Sequence, residues 1–394
     1  MTLDASFWKR QKSVIGVGLI SGTSLDGVDT VIVELHKDRR IPPKTLFFKT
    51  IPYPDDLRKK LLFASAPPGG NAETVTRLNW AVGHALADAA QQAIKESGLG
   101  ADNIQFIGSH GQTIQHVPNA ENIAGFPSSG TLQIGEPAVI AAKTGKVVIA
   151  DFRANDMAYG GEGAPLVPWF DHAYFAHPAQ NRVLLNIGGI ANFTWLPKRC
   201  SLEDVVAFDS GPGNMIIDAL LKKYFDLPYD QDGQKAALGE PNSLLLAELK
   251  KHPYFSRPWP KSTGREEFGE KYVAALCKKA ENAGISPIDL IASTAQLTAD
   301  TIVESVLRCA GQAKVDEIFV SGGGANNATL MKMLARQLPQ TTLKKFDDTG
   351  VAGDAKEAVC FAALAWAALC REPGNIPRAT GAAKNVVLGK ICLP

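Results

Sequence analysis

Apolar residues along this chain occur either in short continuous runs or at helix-like spacing, and most of the runs end in a polar, glycine-bearing turn. The first run, residues 14–20, is followed by a turn at 21–27 and by a second run, 28–35, in which apolar and polar positions alternate. Two such runs joined by a short turn predict a β-hairpin. Residues 183–196 repeat the pattern around a Gly-Gly turn, which predicts a second hairpin of the same kind.

Segments in which the apolar residues have helix-like spacing follow or precede these runs. Asn71 can cap a segment whose apolar residues recur every three or four positions until Gly98, which predicts a helix over 71–97. Ser286, followed by a proline and an aspartate, predicts another helix start. Further helices are predicted over 214–224, 327–338 and 352–370, and short strands at 105–108 and 147–150. Strands that alternate with helices indicate an α/β fold with mainly parallel sheets.

Composition narrows the class of protein. With 394 residues, 45% hydrophobic and 21% charged, the chain is long enough for two domains with cores of their own. A net charge of +1 argues against a nucleic acid or an anionic membrane surface as partner. Six scattered cysteines without Cys-x-x-Cys pairs indicate buried free thiols in a reducing compartment. Because neither a leader-type apolar segment nor a run of about 20 apolar residues is present, we expect a cytoplasmic protein.

Glycine-rich turns after buried-type strands carry the first candidate chemistry. Glycine lets backbone N–H groups approach an anion, while hydroxyl and carboxylate groups bind phosphate oxygens or a hydrated Mg²⁺. Such turns at 21–27, 188–189, 210–214 and 322–324 predict a duplicated nucleotide-binding fold with a phosphate held between two lobes. Ordinary tight turns or close strand–helix packing would use the same glycines. The patterns GxxxxGK[ST] and GxGxxG are absent, which argues against a P-loop or a dinucleotide fold.

Asp209 is the candidate general base. It ends a strand immediately before the turn at 210–214, where a carboxylate can take a proton from an attacking hydroxyl or water. The structural alternative is an aspartate that caps the following helix. Asp151 also ends a strand, but the neighbouring Arg153 would depress its pKa and make it a poorer base. The pattern therefore favours Asp209.

Four other polar residues are candidates for binding the substrate or a metal ion. His110 lies in a polar glycine turn, which favours a hydrogen bond to substrate over core filling. Arg153 and Arg265 carry forked donors suited to sugar hydroxyls or a carboxylate, with a surface salt bridge as the alternative for each. Glu357 lies in an apolar helix, where a carboxylate is costly unless it is paired or faces a ligand or Mg²⁺. Lys356 beside it is predicted to be solvated.

The motifs SGTSLDGVD, GSHGQT, DFR, GGEGAPLVP, NIGGIAN, FDSGPGN, KSTGRE, SGGGANN and AKEA, in this order, resemble those of the anhydro-N-acetylmuramic acid kinases. This family belongs to the actin/hexokinase/Hsp70-like ATPase superfamily, and the resemblance covers about residues 15–366. It implies an α/β protein of two lobes, built from duplicated RNase-H-like cores around an interlobe ATP cleft. The first lobe would span 1–150 with about 355–394, and the second 151–354. A homodimer is implied as well.

The resemblance also implies a reaction. Water attacks the anomeric carbon of a 1,6-anhydro sugar while the released O6 takes the γ-phosphate of ATP, which gives N-acetylmuramic acid 6-phosphate in peptidoglycan recycling. Asp209 matches the general base. ATP, with Mg²⁺ bound by Asp26 and Glu357, is the implied cofactor. The substrate-binding candidates are His110, Arg153, Gly161, Arg265 and Glu357. The nucleotide-binding candidates are Gly22, Thr23, Ser24, Leu25, Asp26, Gly27, Val28, Asp29, Gly188, Gly189, Gly211, Gly213, Asn214, Gly322, Gly323 and Gly324.

Three alternative functions stay open from the sequence. Levoglucosan kinase shares the motifs and acts on 1,6-anhydroglucose, and the segment 352–358 is similar to that branch. Glu162 stands where the muramate kinases usually have glutamine, which bears on the contacts to the sugar. A non-catalytic sensor of sugar or nucleotide and a filament-forming ATPase of the actin type are the alternatives from other classes.

Overall fold

The computed structural model of the protein describes residues 4–22, 25–66 and 69–394. The strands within these residues form two sheets and are β1 (Ser13–Ser21), β2 (Gly27–His36), β3 (Lys44–Pro52), β4 (Phe106–Ile123), β5 (Phe126–Ile134), β6 (Val147–Ala150), β7 (Arg182–Ile187), β8 (Ile190–Leu196), β9 (Val206–Pro212), β10 (Glu317–Ser321), β11 (Thr342–Lys345) and β12 (Lys390–Cys392).

The α-helices of the same residues are α1 (Ala5–Arg10), α2 (Asp55–Ser65), α3 (Ala72–Ser97), α4 (Pro137–Thr144), α5 (Arg153–Ala158), α6 (Val167–Phe175), α7 (Met215–Phe225), α8 (Ser243–Leu249), α9 (Pro253–Ser256), α10 (Arg265–Phe268), α11 (Glu270–Asn282), α12 (Pro287–Ala310), α13 (Ala328–Gln337), α14 (Lys356–Leu369) and α15 (Pro377–Thr380). Within the part of the chain that the structure describes, no helix is both long and apolar enough to cross a membrane.

The chain divides into two compact units, which are Met1–Phe175 with Thr349–Pro394, and Ala176–Asp348. Residues 151–175 group with the first unit, whereas the motif-based boundary placed them in the second lobe. One reason is an ion pair between Lys356 on α14 and Asp171 on α6, with 2.8 Å between Nζ and Oδ1. Lys356 is buried, so the prediction that it is solvated is wrong.

The sheet of the first unit has the order β12-β6-β4-β1-β2-β3, and β5 pairs with β4. Strands β1, β2 and β3 are antiparallel neighbours, while β4 lies parallel to β1 and β6 parallel to β4. Val17 and Ile32, which are paired across β1 and β2, belong to the apolar core that also contains α3. Helix α14 lies directly against the strands, because a Cβ on Gly18 would be 1.9 Å from the carbonyl oxygen of Ala358.

The sheet of the second unit repeats this arrangement with the order β11-β10-β7-β8-β9. Strands β7, β8 and β9 are antiparallel neighbours, β10 is parallel to β7, and β11 is parallel to β10. When β5 and the edge strand β12 are left out, the first sheet has the order β3-β2-β1-β4-β6, which matches β9-β8-β7-β10-β11 of the second sheet in order and in strand directions. The predicted duplication is confirmed, but the sheets are mixed rather than mainly parallel.

Local signals in the sequence locate the long helices. The side chain of Asn71 accepts a hydrogen bond from the backbone of Thr74, and α3 ends at Gly98, which has φ +70°. Ser286 caps α12 in the same way, with a proline in the first turn of the helix. Both predicted hairpins are present as β1–β2 and β7–β8. All six cysteines are free thiols, but the expectation that they are buried holds for only three of them, Cys277, Cys360 and Cys370.

Candidate active site

Asp209 is half-buried on β9 and is held by a nearby segment of its own unit. The N–H of Thr263 donates to Oδ2 of Asp209 at 2.9 Å. The N–H of Asp209 donates to the carbonyl oxygen of Lys261 at 3.1 Å. The hydroxyl of Tyr254 donates to the carbonyl oxygen of Asp209 at 2.5 Å. The motif KSTGRE thus lies beside the predicted base and fixes its position.

Burial raises the pKa of Asp209 to about 6, and the charge of Glu266 acts in the same direction. The Thr263 amide and the charge of Lys261 oppose this shift. A carboxyl group with this pKa is ionised at neutral pH and accepts a proton more readily than an ordinary aspartate, which is what a general base requires. The environment of Asp209 therefore suits the predicted role.

Asp151, the other candidate base, has a different environment in the first unit. Its carboxylate forms an ion pair with Lys390 on β12. The backbone of Asp151 has φ +56°, a left-handed conformation that is uncommon for residues other than glycine. Because the Lys390 ammonium group already pairs with this carboxylate, Asp151 is less available to accept a proton from water. The structure therefore favours Asp209 as the general base.

The glycine turns of the second unit contact one another. The N–H groups of Gly213 and Asn214 donate to the carbonyl oxygens of Gly189 and Gly188, at 2.9 and 2.8 Å. A Cβ on Gly213 would lie 2.4 Å from the oxygen of Gly188. These amides are therefore engaged within the protein, and Gly213 is required because the two turns pack so closely.

The other glycines of this region differ in what surrounds them. A Cβ on Gly322, Gly324 or Gly211 would lie 2.4 to 2.8 Å from a protein atom, so these three residues serve close packing. At Gly189 and Gly323 the nearest atoms would be 3.8 Å away, which leaves the backbone open. Among the predicted nucleotide-binding glycines of this unit, these two and Gly188, where the nearest atom would be 3.7 Å away, have the most space for a ligand.

The turn between β1 and β2 is described in part, because Thr23 and Ser24 lie outside the described residues. Gly22 has open space around it, since a Cβ there would meet no atom of the described residues within 4 Å. A Cβ on Gly27 would lie 2.3 Å from a carbonyl oxygen of β3, so Gly27 is required for strand packing. Leu25 and Val28 are buried. Of the described residues at 22–28, Gly22 has the backbone with the most room for a phosphate.

Asp26 is less suited to a metal ion than the sequence indicated. Its carboxylate is exposed and accepts a hydrogen bond from Arg58 at 2.7 Å, which balances its charge. Asp29, three residues further on, accepts a hydrogen bond from Thr50 at 2.6 Å. Burial raises the pKa of Asp29, as does the charge of Asp354. Of the two aspartates, Asp29 on β2 is therefore the one that has no ion-pair partner among the described residues.

Glu357 lies in the first turn of α14 and interacts electrostatically with Asp29. Its side chain is accessible to solvent, but the protein atoms around it reduce the hydration of the carboxylate and so raise its pKa. The charge of Arg153 lowers this pKa, Asp29 raises it, and Lys356 lowers it. Within residues 4–22, 25–66 and 69–394, no group of three or more His, Cys, Asp or Glu side chains is placed to hold a metal ion. Two carboxylates still suit Mg²⁺ that arrives with a nucleotide, because phosphate oxygens and water complete its coordination.

His110, which is buried, pairs with the half-buried Arg153 in the first unit. Arg153 donates from Nε to Nε2 of His110 at 3.0 Å, and from a terminal nitrogen to the carbonyl oxygen of Gly163 at 2.8 Å. Because Nε2 accepts, Nδ1 carries the proton and donates to the carbonyl oxygen of Gly111 at 3.1 Å. Burial, and then the charge of Arg153, lowers the pKa of His110 to about 3. Both ring nitrogens are engaged, so His110 orients Arg153, and the prediction that it hydrogen-bonds the substrate is not supported.

Asp156 is a buried residue that sequence reasoning missed. Its carboxylate accepts hydrogen bonds from the backbone of Gly163 at 2.8 Å and from Asn375 and Thr380, both at 2.7 Å. A Cβ on Gly161 would lie 2.1 Å from this carboxylate. The need for glycine at position 161 is therefore explained by the close approach of the Asp156 carboxylate rather than by contact with a sugar. The partners at 375 and 380 lie far along the chain, and no local pattern indicates them.

Arg265 begins α10 in the second unit, two residues after Thr263. Its side chain is exposed, and it borders a cavity of about 890 Å³ together with Phe268 and Tyr272. The segment 261–266 thus carries both the contacts to Asp209 and an accessible guanidinium group. The predicted residues fall into two sets, one in each unit. His110, Arg153, Gly161 and Glu357 belong to the first unit, and Asp209 and Arg265 to the second.

The repeated sheet order, with glycine turns in each unit, defines a duplicated α/β protein. A family model described as anhydro-N-acetylmuramic acid kinase matches residues 14–394. The chain belongs to the anhydro-N-acetylmuramic acid kinase family.

Relatives named anhydro-N-acetylmuramic acid kinase match nearly the whole chain. The protein from Caldanaerobacter subterraneus subsp. tengcongensis is 45% identical over 382 residues, which are 96% of this chain and 96% of the relative. The protein from Salinibacter ruber is 42% identical with the same coverage. The protein from Bacillus cereus strain Q1 is 41% identical over 96% of this chain and 98% of its own length. The match therefore extends over both units.

Proposed function

We propose that this protein is an ATP-dependent kinase that opens the 1,6-anhydro ring of anhydro-N-acetylmuramic acid and phosphorylates O6. The product is N-acetylmuramic acid 6-phosphate. The observation that carries the proposal is Asp209, a half-buried carboxylate in a chain of this family, held by Thr263 and raised in pKa to about 6.

Asp209 accepts a proton from a water molecule whose oxygen bonds to the anomeric carbon. The bond between that carbon and O6 breaks, and O6 forms a bond to the γ-phosphorus of ATP as ADP leaves. Anhydro sugar, ATP and water thus give sugar 6-phosphate, ADP and a proton. The attack at the anomeric carbon has oxocarbenium-like character, and a carboxylate that activates water suits it. Phosphoryl transfer depends mainly on positioning and on neutralisation of charge.

The residues of the first unit would serve the phosphates and the sugar. Gly22 would offer backbone N–H groups to ATP, and Asp29 and Glu357 would hold Mg²⁺, which neutralises phosphate charge when bound. Arg153, oriented by His110, would donate hydrogen bonds to the sugar.

The direct test is turnover of purified protein with ATP, Mg²⁺ and each of two anhydro sugars. We expect ADP release with anhydro-N-acetylmuramic acid. In ¹⁸O-labelled water, the label is expected at the anomeric hydroxyl and not in the phosphate. ADP release with levoglucosan alone would assign the protein to that reaction. Binding of sugar and nucleotide without turnover would indicate a sensor.

The pH dependence of turnover follows from the raised pKa of Asp209. Only the ionised carboxylate accepts a proton, so kcat/KM is expected to be level above about pH 6 and to fall about tenfold per pH unit below it. The measurement is kcat/KM from about pH 5 to pH 9, with circular dichroism at each pH to show that the protein stays folded. An acid limb centred near pH 4 in a folded protein would contradict the assigned base.

The proposal includes assembly and location. By family resemblance we propose a cytoplasmic homodimer that binds a small sugar and no nucleic acid. Sedimentation equilibrium of the purified protein, with and without ATP, tests the dimer. A single species with the mass of one chain would overturn this part and leave the proposed reaction standing.

A further inference from the structure

Lys261 precedes α10 in the second unit, and its ammonium group is held by protein atoms. Nζ donates hydrogen bonds to the carbonyl oxygens of Tyr254 and Phe255, at 3.1 and 3.3 Å. The same nitrogen lies 4.4 Å from the centre of the Tyr254 ring and 5.7 Å from that of the Phe208 ring. These contacts connect Lys261 to α9, the short helix that contains Tyr254.

The same residues also contact Asp209. The N–H of Asp209 donates to the carbonyl oxygen of Lys261 at 3.1 Å, and the carbonyl oxygen of Asp209 accepts from the hydroxyl of Tyr254 at 2.5 Å. The N–H of Thr263 donates to the Asp209 carboxylate at 2.9 Å. The Lys261 ammonium group closes the ring of contacts, because it binds the backbone of the residue that carries the hydroxyl. We call Tyr254, Lys261 and Thr263 together the clamp.

Lysine is a costly residue at this position. Burial lowers the pKa of Lys261 to about 8, and the charges of Arg308 and Arg257 act in the same direction. The charges of Glu267 and Asp209 oppose this shift. Methionine has a similar length and would pack against the same rings without the cost of burying a charge. The ammonium group is therefore explained by what it binds, which is the backbone of α9.

We propose that Lys261 is a positioning residue for Asp209. By holding the clamp closed, its ammonium group keeps the Thr263 amide on one carboxylate oxygen, and this fixes the direction in which the other oxygen meets water. The inference rests on the proposed function in one respect, which is that Asp209 is the general base. A neutral lysine still has N–H donors, so the clamp is expected to persist above pH 8 and kcat/KM to stay level there.

The first test replaces Lys261 with methionine, which keeps the length of the side chain and removes its N–H donors and its charge. We expect kcat to fall by about 10–10²-fold, because a slightly displaced base is less often in the reactive geometry. The KM for ATP and for the sugar should stay within about twofold, because the base acts in the transition state. The acid limb of kcat/KM should move to higher pH by about half a unit, since the charge of Lys261 lowers the pKa of Asp209.

Two further variants complete this test. Lys222→Met makes the same change at an exposed lysine of the same unit, which pairs with Asp226, and should leave kcat and the pH profile unchanged. Tyr254→Phe removes the hydroxyl that binds the Asp209 carbonyl oxygen. It should lower kcat without moving the acid limb, because no charge is lost. Either a wild-type kcat or an unmoved acid limb in Lys261→Met would overturn the inference.

Hydrogen exchange of the protein without substrates, measured by mass spectrometry, separates this inference from the proposed function. The amides of Asp209 and Thr263 both donate hydrogen bonds within the clamp. Their exchange is expected to be about tenfold faster in Lys261→Met, while α12 exchanges at the wild-type rate. Such a result supports the clamp whatever the kinase assay gives, and unchanged exchange of both amides would contradict it even in an active kinase. Tyr254→Phe gives the same readout if Lys261→Met does not fold.

Discussion

Replacement of Asp209 with asparagine is expected to lower kcat with ATP and anhydro-N-acetylmuramic acid by about 10²–10⁴-fold. Asparagine keeps the size of the side chain and can still accept the hydrogen bond from Thr263, but it cannot take a proton from water. The loss should therefore appear in kcat, while the affinity for ADP stays close to that of the wild type. Steady-state kinetics and calorimetry with ADP measure the two quantities.

Two further variants sharpen this result. Asp226→Asn makes the same chemical change on an exposed helix end of the same unit and should leave kcat unchanged. If Asp209→Asn retains more than about a tenth of wild-type kcat, Asp209 is not the general base. Asp151→Asn then becomes the variant to test, because Asp151 directly follows β6 and is the other candidate base.

The second large effect concerns the buried ion pair of the first unit. Lys356 and Asp171 have side-chain exposures of 8% and 2%, with 2.8 Å between Nζ and Oδ1. Lys356→Met removes the ammonium that balances a carboxylate held away from water. Breaking such a pair is expected to lower the free energy of unfolding by about 3–5 kcal/mol. Urea unfolding, followed by circular dichroism, gives this free energy.

The matched control is Lys222→Met, in an ion pair whose side chains are 69% and 86% exposed. Solvent screens that pair, so the loss should stay below about 1 kcal/mol. The double variant Lys356→Met with Asp171→Leu removes both charges and should recover part of the lost stability. A Lys356→Met protein as stable as the Lys222→Met protein would show that the buried pair does not stabilise the fold.

The elements that could be predicted from the sequence are those whose signals lie within a few residues. The caps at Asn71 and Ser286 and the three-to-four-residue spacing that follows them locate α3 and α12 closely. Both hairpins follow from apolar runs around a short turn. Asp209 could be singled out because a strand end directly before a glycine turn is itself a local pattern. The match of the family model to residues 14–394 confirms the resemblance carried by the ordered motifs.

The features that could not be predicted depend on contacts between distant parts of the chain. The strand predicted at 105–108 continues to Ile123 in the structure, and its second half pairs with β5. The residues of a single strand do not indicate which other strand will pair with it, so this extension could not be predicted. Lys356 appears solvent-facing in sequence, and only the position of Asp171 shows otherwise. The burial of Asp156 is likewise explained by a hydrogen bond from Asn375, which lies 219 positions away along the chain.

The neutral imidazole of His110 has a consequence for how the protein responds to acid. Its pKa of about 3 means that the ring gains no charge as the medium is acidified to pH 5, so Arg153 keeps its support throughout. Acidification over that pH range protonates Asp209 but does not change the hydrogen bonds of the Arg153 guanidinium group. The loop at Gly163 therefore keeps its hydrogen bond from Arg153 in mild acid, and loss of turnover there is expected to come from carboxyl groups rather than from this loop.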